Sequence, residues 1–207
     1  MSDPNRGRQA ARLLRDALSR VAEQTSTRVL NGTSHCDADD TVGTFGTDDA
    51  VGFDPLPLLH ALHEYGAKVV VIGQVAGIMH GSRELTGDLD LLWDGRPEQV
   101  DALAAAFASV SADLTDGDGV PIRCAPAAFG LPKVLFRSAG ASGDCCTPAL
   151  PWGELPIADL LARCRIAISD GFEIRYLDRA DLIWMRRAAG RTKDLRRAEE
   201  LERLAIT

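Results

Sequence analysis

Apolar residues recur along this chain in two rhythms, and the change from one to the other marks its elements. In RGRQAARLLRDALSRVAEQ, Arg6 to Gln24, they return every three to four residues between charged ones, which predicts one amphipathic helix. PLPLLHALHEY, Pro55 to Tyr65, keeps that period and Gly66 closes it. KVVVI, Lys68 to Ile72, is a short unbroken apolar run and predicts a buried strand. Val75 to His80 predicts a short helix, Gly81 and Ser82 a turn, and Asp88 to Trp93 a second strand. Pro97 opens a helix that Ala-rich residues from Val100 to Val110 continue. Further strands are predicted at Pro121 to Cys124, Val134 to Ser138, Ala141 to Cys145 and Phe172 to Tyr176. Helices are predicted at Ile157 to Arg163 and, as a pair, from Arg179 onward. Such a mixture indicates an α/β or α+β sandwich.

Between the first helix and Phe53 both rhythms are lost. NGTSHCDADDTVGTFGTDDAVG has no apolar period and predicts a flexible connection. The chain therefore divides into an N-terminal helix and connection (1–53), a core (54–177) and C-terminal helices (178–207).

The second strand carries acids where packing alone asks for apolar residues. Asp88 and Asp90 are two apart, so they point to one face of the strand. Two like charges about 4 Å apart repel by roughly 4 kcal/mol at an effective dielectric near 20. A divalent cation is the usual compensation. Gly73, where the first strand enters a helix, lets a phosphate approach backbone N–H groups.

Charge sharpens this picture. The net charge of −7 excludes a protein coated in basic residues for nucleic acid. From Asp54 to Leu160 there are 6 basic against 14 acidic residues, and from Leu161 to Thr207 there are 11 against 8. An acidic middle and a basic end suit a metal site beside an anion-holding surface. The five cysteines, Cys36, Cys124, Cys145, Cys146 and Cys164, show no C-x-x-C spacing. That argues against a zinc site or disulfide framework and for a reducing, cytoplasmic setting. Adjacent Cys145 and Cys146 read as small buried side chains. No apolar run reaches the roughly 18 residues of a membrane span, and the arginines of the N-terminus exclude a secretory signal.

Ile72-Gly73-Gln74, then 13 residues, then Asp88-Leu89-Asp90-Leu91, resembles the signature of the nucleotidyltransferase superfamily, typified by DNA polymerase β. Gln74 stands where that signature has a small residue. Thr86-x-Asp88-Leu89-Asp90, with the ending LDRADLIWMRRAAGRTKDLRRAEELERL, is similar to the bacterial AbiEii-type group that includes the MenT toxins. The resemblance covers about residues 54 to 204. It implies a nucleotidyltransferase fold, a short mixed sheet flanked by helices with a C-terminal helical extension. It also implies Mg²⁺- or Mn²⁺-dependent transfer of a nucleoside monophosphate from an NTP such as ATP to an acceptor. The tRNA 3′ end, in a toxin with a cognate antitoxin, is the acceptor the group suggests. A partner protein, a small hydroxylated antibiotic and a catalytically silent binding module are the alternatives.

The same resemblance implies a third carboxylate from a neighbouring strand, to join Asp88 and Asp90 as catalytic and metal ligands. Asp144, Glu154, Asp159 and Glu173 are the candidates. Asp144 is preferred, because it follows a strand-like run among small residues; Glu173 is the competitor. Gly73, Gln74, Ser82, Arg83, Thr86 and Lys193 are the candidate nucleotide-binding residues. Each has a plainer alternative: Ser82 and Thr86 as turn or cap residues, Arg83 as a surface charge. Asp194 reads as a helix cap, and His80, Trp152 and Trp184 as core.

Overall fold

The computed structural model describes residues 4–39 and 43–204. Its helices are α1 (Pro4–Thr25), α2 (Leu56–Glu64), α3 (Gly73–Met79), α4 (Val100–Ser109), α5 (Ile157–Ala162), α6 (Arg179–Ala189) and α7 (Thr192–Leu204). Its strands are β1 (Val69–Val71), β2 (Leu89–Trp93), β3 (Asp113–Thr115), β4 (Pro121–Ile122), β5 (Lys133–Arg137), β6 (Ser142–Cys146), β7 (Arg165–Ser169) and β8 (Phe172–Tyr176). The strands form one mixed sheet in the order β4-β3-β5-β6-β2-β1-β8-β7. The mixed α/β class expected from the two rhythms is therefore observed.

β2 is central because its side chains can be covered on both faces. Leu89, Leu91, Leu92 and Trp93 are all fully buried, so apart from Asp90 the strand is wholly core. It pairs antiparallel with β1 and parallel with β6. The aromatic rings of Phe107, Phe129 and Phe136 pack edge-on or tilted, with centroids 5.1–5.2 Å apart, where α4 meets the sheet. The apolar stripe of α1 is buried at Ala10, Ala11, Leu14, Ala17 and Val21, against β7 and α3. α2 packs on α4 and β8, while α6 packs on α7 and α3. Among the described residues no helix is long and apolar enough to cross a membrane.

Two strands were not expected from the pattern, and two tryptophans are less enclosed than expected. β3 and β7 carry no strong pattern of their own; each is held by its partner, β5 or β8, and Ile168 of β7 stays 44% exposed. Trp184, expected in the core, is 44% exposed on α6, and Trp152 is half-buried with its indole N–H donated to the Thr147 carbonyl at 2.7 Å. His80, by contrast, packs on Tyr176 and bonds the Leu177 carbonyl at 2.8 Å, as a packed histidine should.

The connection expected to be loose is built in short turns closed by polar side chains. The Asp48 carboxylate accepts the N–H groups of Asn31 and Gly32. Arg28 donates to the carbonyls of Phe45 and Thr47, with its guanidinium over the Phe45 ring. Asp49 and Ala50 are buried. Periodicity cannot reveal a segment that is held by hydrogen bonds rather than by an apolar face. Residues 40–42 of this connection lie outside the described residues.

Asp178 caps α6 by accepting the N–H of Ala180 at 2.9 Å, and it accepts Arg165 at 2.6 Å. Burial raises its pKa, but those two bonds outweigh it and hold the carboxyl below the ordinary aspartate range. A depressed folded pKa stabilises above the unfolded value and is lost as pH falls through the folded one. Asp178→Ala should therefore cost about 1 kcal/mol at neutral pH, or roughly 2–4 °C in Tm, with the difference shrinking under acid. Paired thermal melts at neutral and acid pH check this.

Candidate active cleft

The parallel register of β2 and β6 sets Asp90 directly beside Asp144. Asp88, two residues before Asp90, joins the same face, so three carboxylates converge from two neighbouring strands. Close strand approach is needed there. A Cβ on Gly143 would lie 2.0 Å from the Leu89 carbonyl oxygen and 2.9 Å from Asp88 Oδ1. Only glycine fits. The antiparallel neighbour β1 then delivers Gly73 against Asp90, with the Ile72 N–H donated to the Asp90 carbonyl at 2.9 Å.

These acids floor a cleft of about 310 Å³, whose walls include His35, Thr44, Thr86, Lys133, Arg191, Lys193 and Arg197. Burial, and then the neighbouring acids Asp90, Asp144 and Asp49, push Asp88 well above the ordinary carboxyl range. Burial and Asp144 push Asp90 up to about 6. Lys133 lies 2.7 Å from Asp144 Oδ2. Burial works against the Lys133 ammonium, but this hydrogen bond and the charge of Asp144 raise its pKa. Oδ1 of Asp88 and Oδ1 of Asp144 are buried and accept no hydrogen bond. His35 reaches over from the connection, its Nε2 4.0 Å from Asp144 Oδ1 and its Nδ1 3.3 Å from Asp49 Oδ2. Arg137 approaches Asp49 Oδ1 to 2.6 Å, an ion pair whose angles fall outside a hydrogen bond.

The expected site residues divide. Asp88, Asp90, Asp144, Gly73, Thr86 and Lys193 come together here, although Gly73 does so for a different reason. Its φ is +62°, and a Cβ would lie 1.7 Å from Asp90 Oδ2. The space expected for a phosphate is taken by that carboxylate. Thr86 shares a 2.6 Å hydroxyl bond with Thr44 and accepts the Asp88 N–H.

Gln74, although at the cleft's edge, has its side chain committed to scaffolding. Its amide donates to Ser82 Oγ and the Glu84 carbonyl, and its Oε1 accepts from Arg186. Ser82 donates to Glu200 at 2.6 Å, and neither Ser82 nor Arg83 lines the cleft. Arg83 is exposed and contributes its backbone, donating to Glu200 and accepting from Arg20. Among the other acids, Glu173 is exposed on β8, Asp159 sits on α5 and Glu154 lies beside Trp152.

The basic C-terminal end is mostly drawn inward. Arg186 is 4% exposed and donates to the carbonyls of Gly73 and Arg197. Burial and neighbouring Arg197 bring its pKa down to about 10. Arg187 pairs with Glu202, Arg196 and Arg197 with Glu84, and Arg191 with Asp194 at 2.5 Å. A surface role for Arg186 is excluded. Lys133 and His35 were not anticipated. Lys133 alone left a signal, a lysine opening an apolar strand one hairpin before the strand of Asp144.

As they stand, no three His, Cys, Asp or Glu residues among those described form a ready-made metal group. The donor set nonetheless fits a hard divalent cation: all oxygen, with two buried carboxylate oxygens unbonded and Lys133 already supplying positive charge at Asp144. No protein-family model matches the chain, and no curated protein matches it.

Gly73→Ala should drive a methyl into Asp90 and force alanine into the left-handed region. The backbone penalty alone is about 1–2 kcal/mol. Thermal denaturation should show a Tm several degrees lower.

Proposed function

We propose that the cleft catalyses metal-dependent nucleotidyl transfer, on a nucleotidyltransferase-type fold. The observation that carries this reading is the convergence of Asp88, Asp90 and Asp144 on one face of β2 and β6, with two of their oxygens left unbonded. A purely structural site would not gather three acids on adjacent strands, with burial and neighbouring carboxylates opposing ionisation of Asp88 and Asp90.

The acceptor hydroxyl oxygen forms a bond to the α-phosphorus of an NTP while the bond to the β-phosphate oxygen breaks. Pyrophosphate leaves, and the hydroxyl proton passes to solvent or base. Mg²⁺ or Mn²⁺, when held by Asp88, Asp90 and Asp144, supplies charge neutralisation and a more acidic acceptor hydroxyl. The chain's own residues supply the rest. Lys133, Arg191 and Lys193 line the cleft and offset the triphosphate's negative charge. Gly73 leaves Asp90 room to sit against β1, and Gly143 lets β6 approach Asp88. The acceptor favoured is an RNA 3′ end, as in the toxins that the motifs resemble. It would be met locally, because the net charge of −7 opposes a broad grip on a duplex.

Two measurements test the reading. Asp88→Asn should abolish Mg²⁺-dependent NTP binding in calorimetry while raising the metal-free Tm by a few degrees, because it relieves a buried repulsion. Unchanged binding in this variant overturns the metal site. Total tRNA incubated with each labelled NTP and Mg²⁺ should become labelled at its 3′ end, less so at high salt and in Lys133→Ala. Label on a co-expressed partner protein or on a hydroxylated antibiotic selects those acceptors instead. Binding without any transfer selects the silent module.

A further inference from the structure

The three carboxylates of the cleft are not equally provided with positive charge. Asp144 Oδ2 has the Lys133 ammonium at 2.7 Å, and the sheet builds that contact in. β5 pairs antiparallel with β6 and sets Leu135 opposite Asp144. Lys133, two residues before Leu135, shares its face and reaches Asp144 diagonally. Its side chain is half-buried, so the ammonium is held where it stands. Asp90 has its Oδ2 pressed against Gly73, and Arg197, Lys133 and Arg191 lie near enough to favour its charged form. Asp88 is served worst. Asp90, Asp144 and Asp49 all add to its burial in opposing a charge, and Lys133 offsets them least. Two buried oxygens accept no hydrogen bond, Oδ1 of Asp88 and Oδ1 of Asp144, one from each of two paired strands. His35 Nε2 stands 4.0 Å from the second of them.

We propose that the triad takes a single divalent cation, on Asp88 Oδ1 and Asp144 Oδ1 beside Asp90, and that the Lys133 ammonium fills the place of a second. This rests on the nucleotidyl-transfer reading of the cleft and gives the number of ions which that site uses. Phosphoryl-transfer sites with two metals set them about 3.5–4 Å apart, one at the attacking and one at the leaving oxygen. Here one flank of the shared carboxylate already carries a positive charge tied to the chain, and a second ion at that spacing would be repelled by it. The count of charges agrees. Arg191 is paired with Asp194 and Arg197 with Glu84, so one divalent ion and one ammonium balance the three carboxylates. An ammonium also has three N–H donors, and those not given to Asp144 can meet a phosphate oxygen.

The test counts Mn²⁺ bound to the full chain without nucleotide, by electron paramagnetic resonance, which also shows whether two bound ions are spin-coupled. One uncoupled Mn²⁺ per chain is expected in the parent and in Lys133→Arg, which keeps the charge. Lys133→Met keeps a long stem without the charge and should bind two ions per chain, spin-coupled. Lys133→Gln is the second charge-removing variant, and thermal melts show which variants are folded. Ions that remain bound in Asp88→Asn are subtracted as surface ions. Two coupled ions in the parent overturn the proposal and leave the metal site of the transfer reading standing. One ion or none in both charge-removing variants also overturns it, because Lys133 is then a neutralising neighbour and no substitute for an ion. No bound ion in the parent overturns the proposal and the metal site together.

Discussion

Three carboxylates gathered from two adjacent strands into one cleft set the constraint that the rest of this structure answers. At separations of a few ångströms, with an effective dielectric near 20, each like-charge pair costs on the order of several kcal/mol. The sheet accepts that cost because β2 and β6 are locked by register and by a glycine that no larger residue can replace. Lys133 answers Asp144 directly, and Arg191 and Arg197 add positive charge on the far wall. A core built for packing alone has no use for such an arrangement, and this is the feature on which the proposed function rests.

The same constraint explains the C-terminal helices. Arg197 can face Asp90 only if α7 is pinned, and the pin is a polar network rather than an apolar seam. Arg186 crosses from α6 to the Gly73 carbonyl and the Gln74 side chain, which in turn holds Ser82 and the Glu84 carbonyl. Glu84 then receives Arg197, and Glu200 receives Ser82. Gln74 thus departs from the small residue of the motif for a reason: it is the acceptor that makes a buried arginine tolerable. Removing one member would strand a charge indoors, which is why such networks are costly to interrupt.

The fold's α/β character and most of its elements were legible in periodicity, since an apolar stripe or run has one comfortable partner, a core. The Asp88–Asp90 pair was legible too, because a two-residue spacing on a strand permits one geometry. Asp144 was preferred over Glu173 on its small neighbours, and it is Asp144 that stands beside Asp90, while Glu173 faces water on β8. β3, β7 and the turns between Ser26 and Phe53 were not legible. Their stability comes from partners distant in sequence or from single hydrogen bonds, and neither leaves a period.

By itself, then, the sequence determined which segments are helix or strand and that two acids must share a face, because both follow from local geometry. Only the tertiary structure decided which cations meet those acids and which merely brace the frame. Arg186 and Lys193 look alike in a string of basic residues, yet one is sealed beneath the Gly73 turn and the other lines the cleft. It also decided that Trp184 faces water and that His35 reaches the acids from the far side of a patternless loop. Those outcomes depend on how sheet register and helix docking bring remote side chains within a few ångströms, and no spacing along the chain encodes that distance.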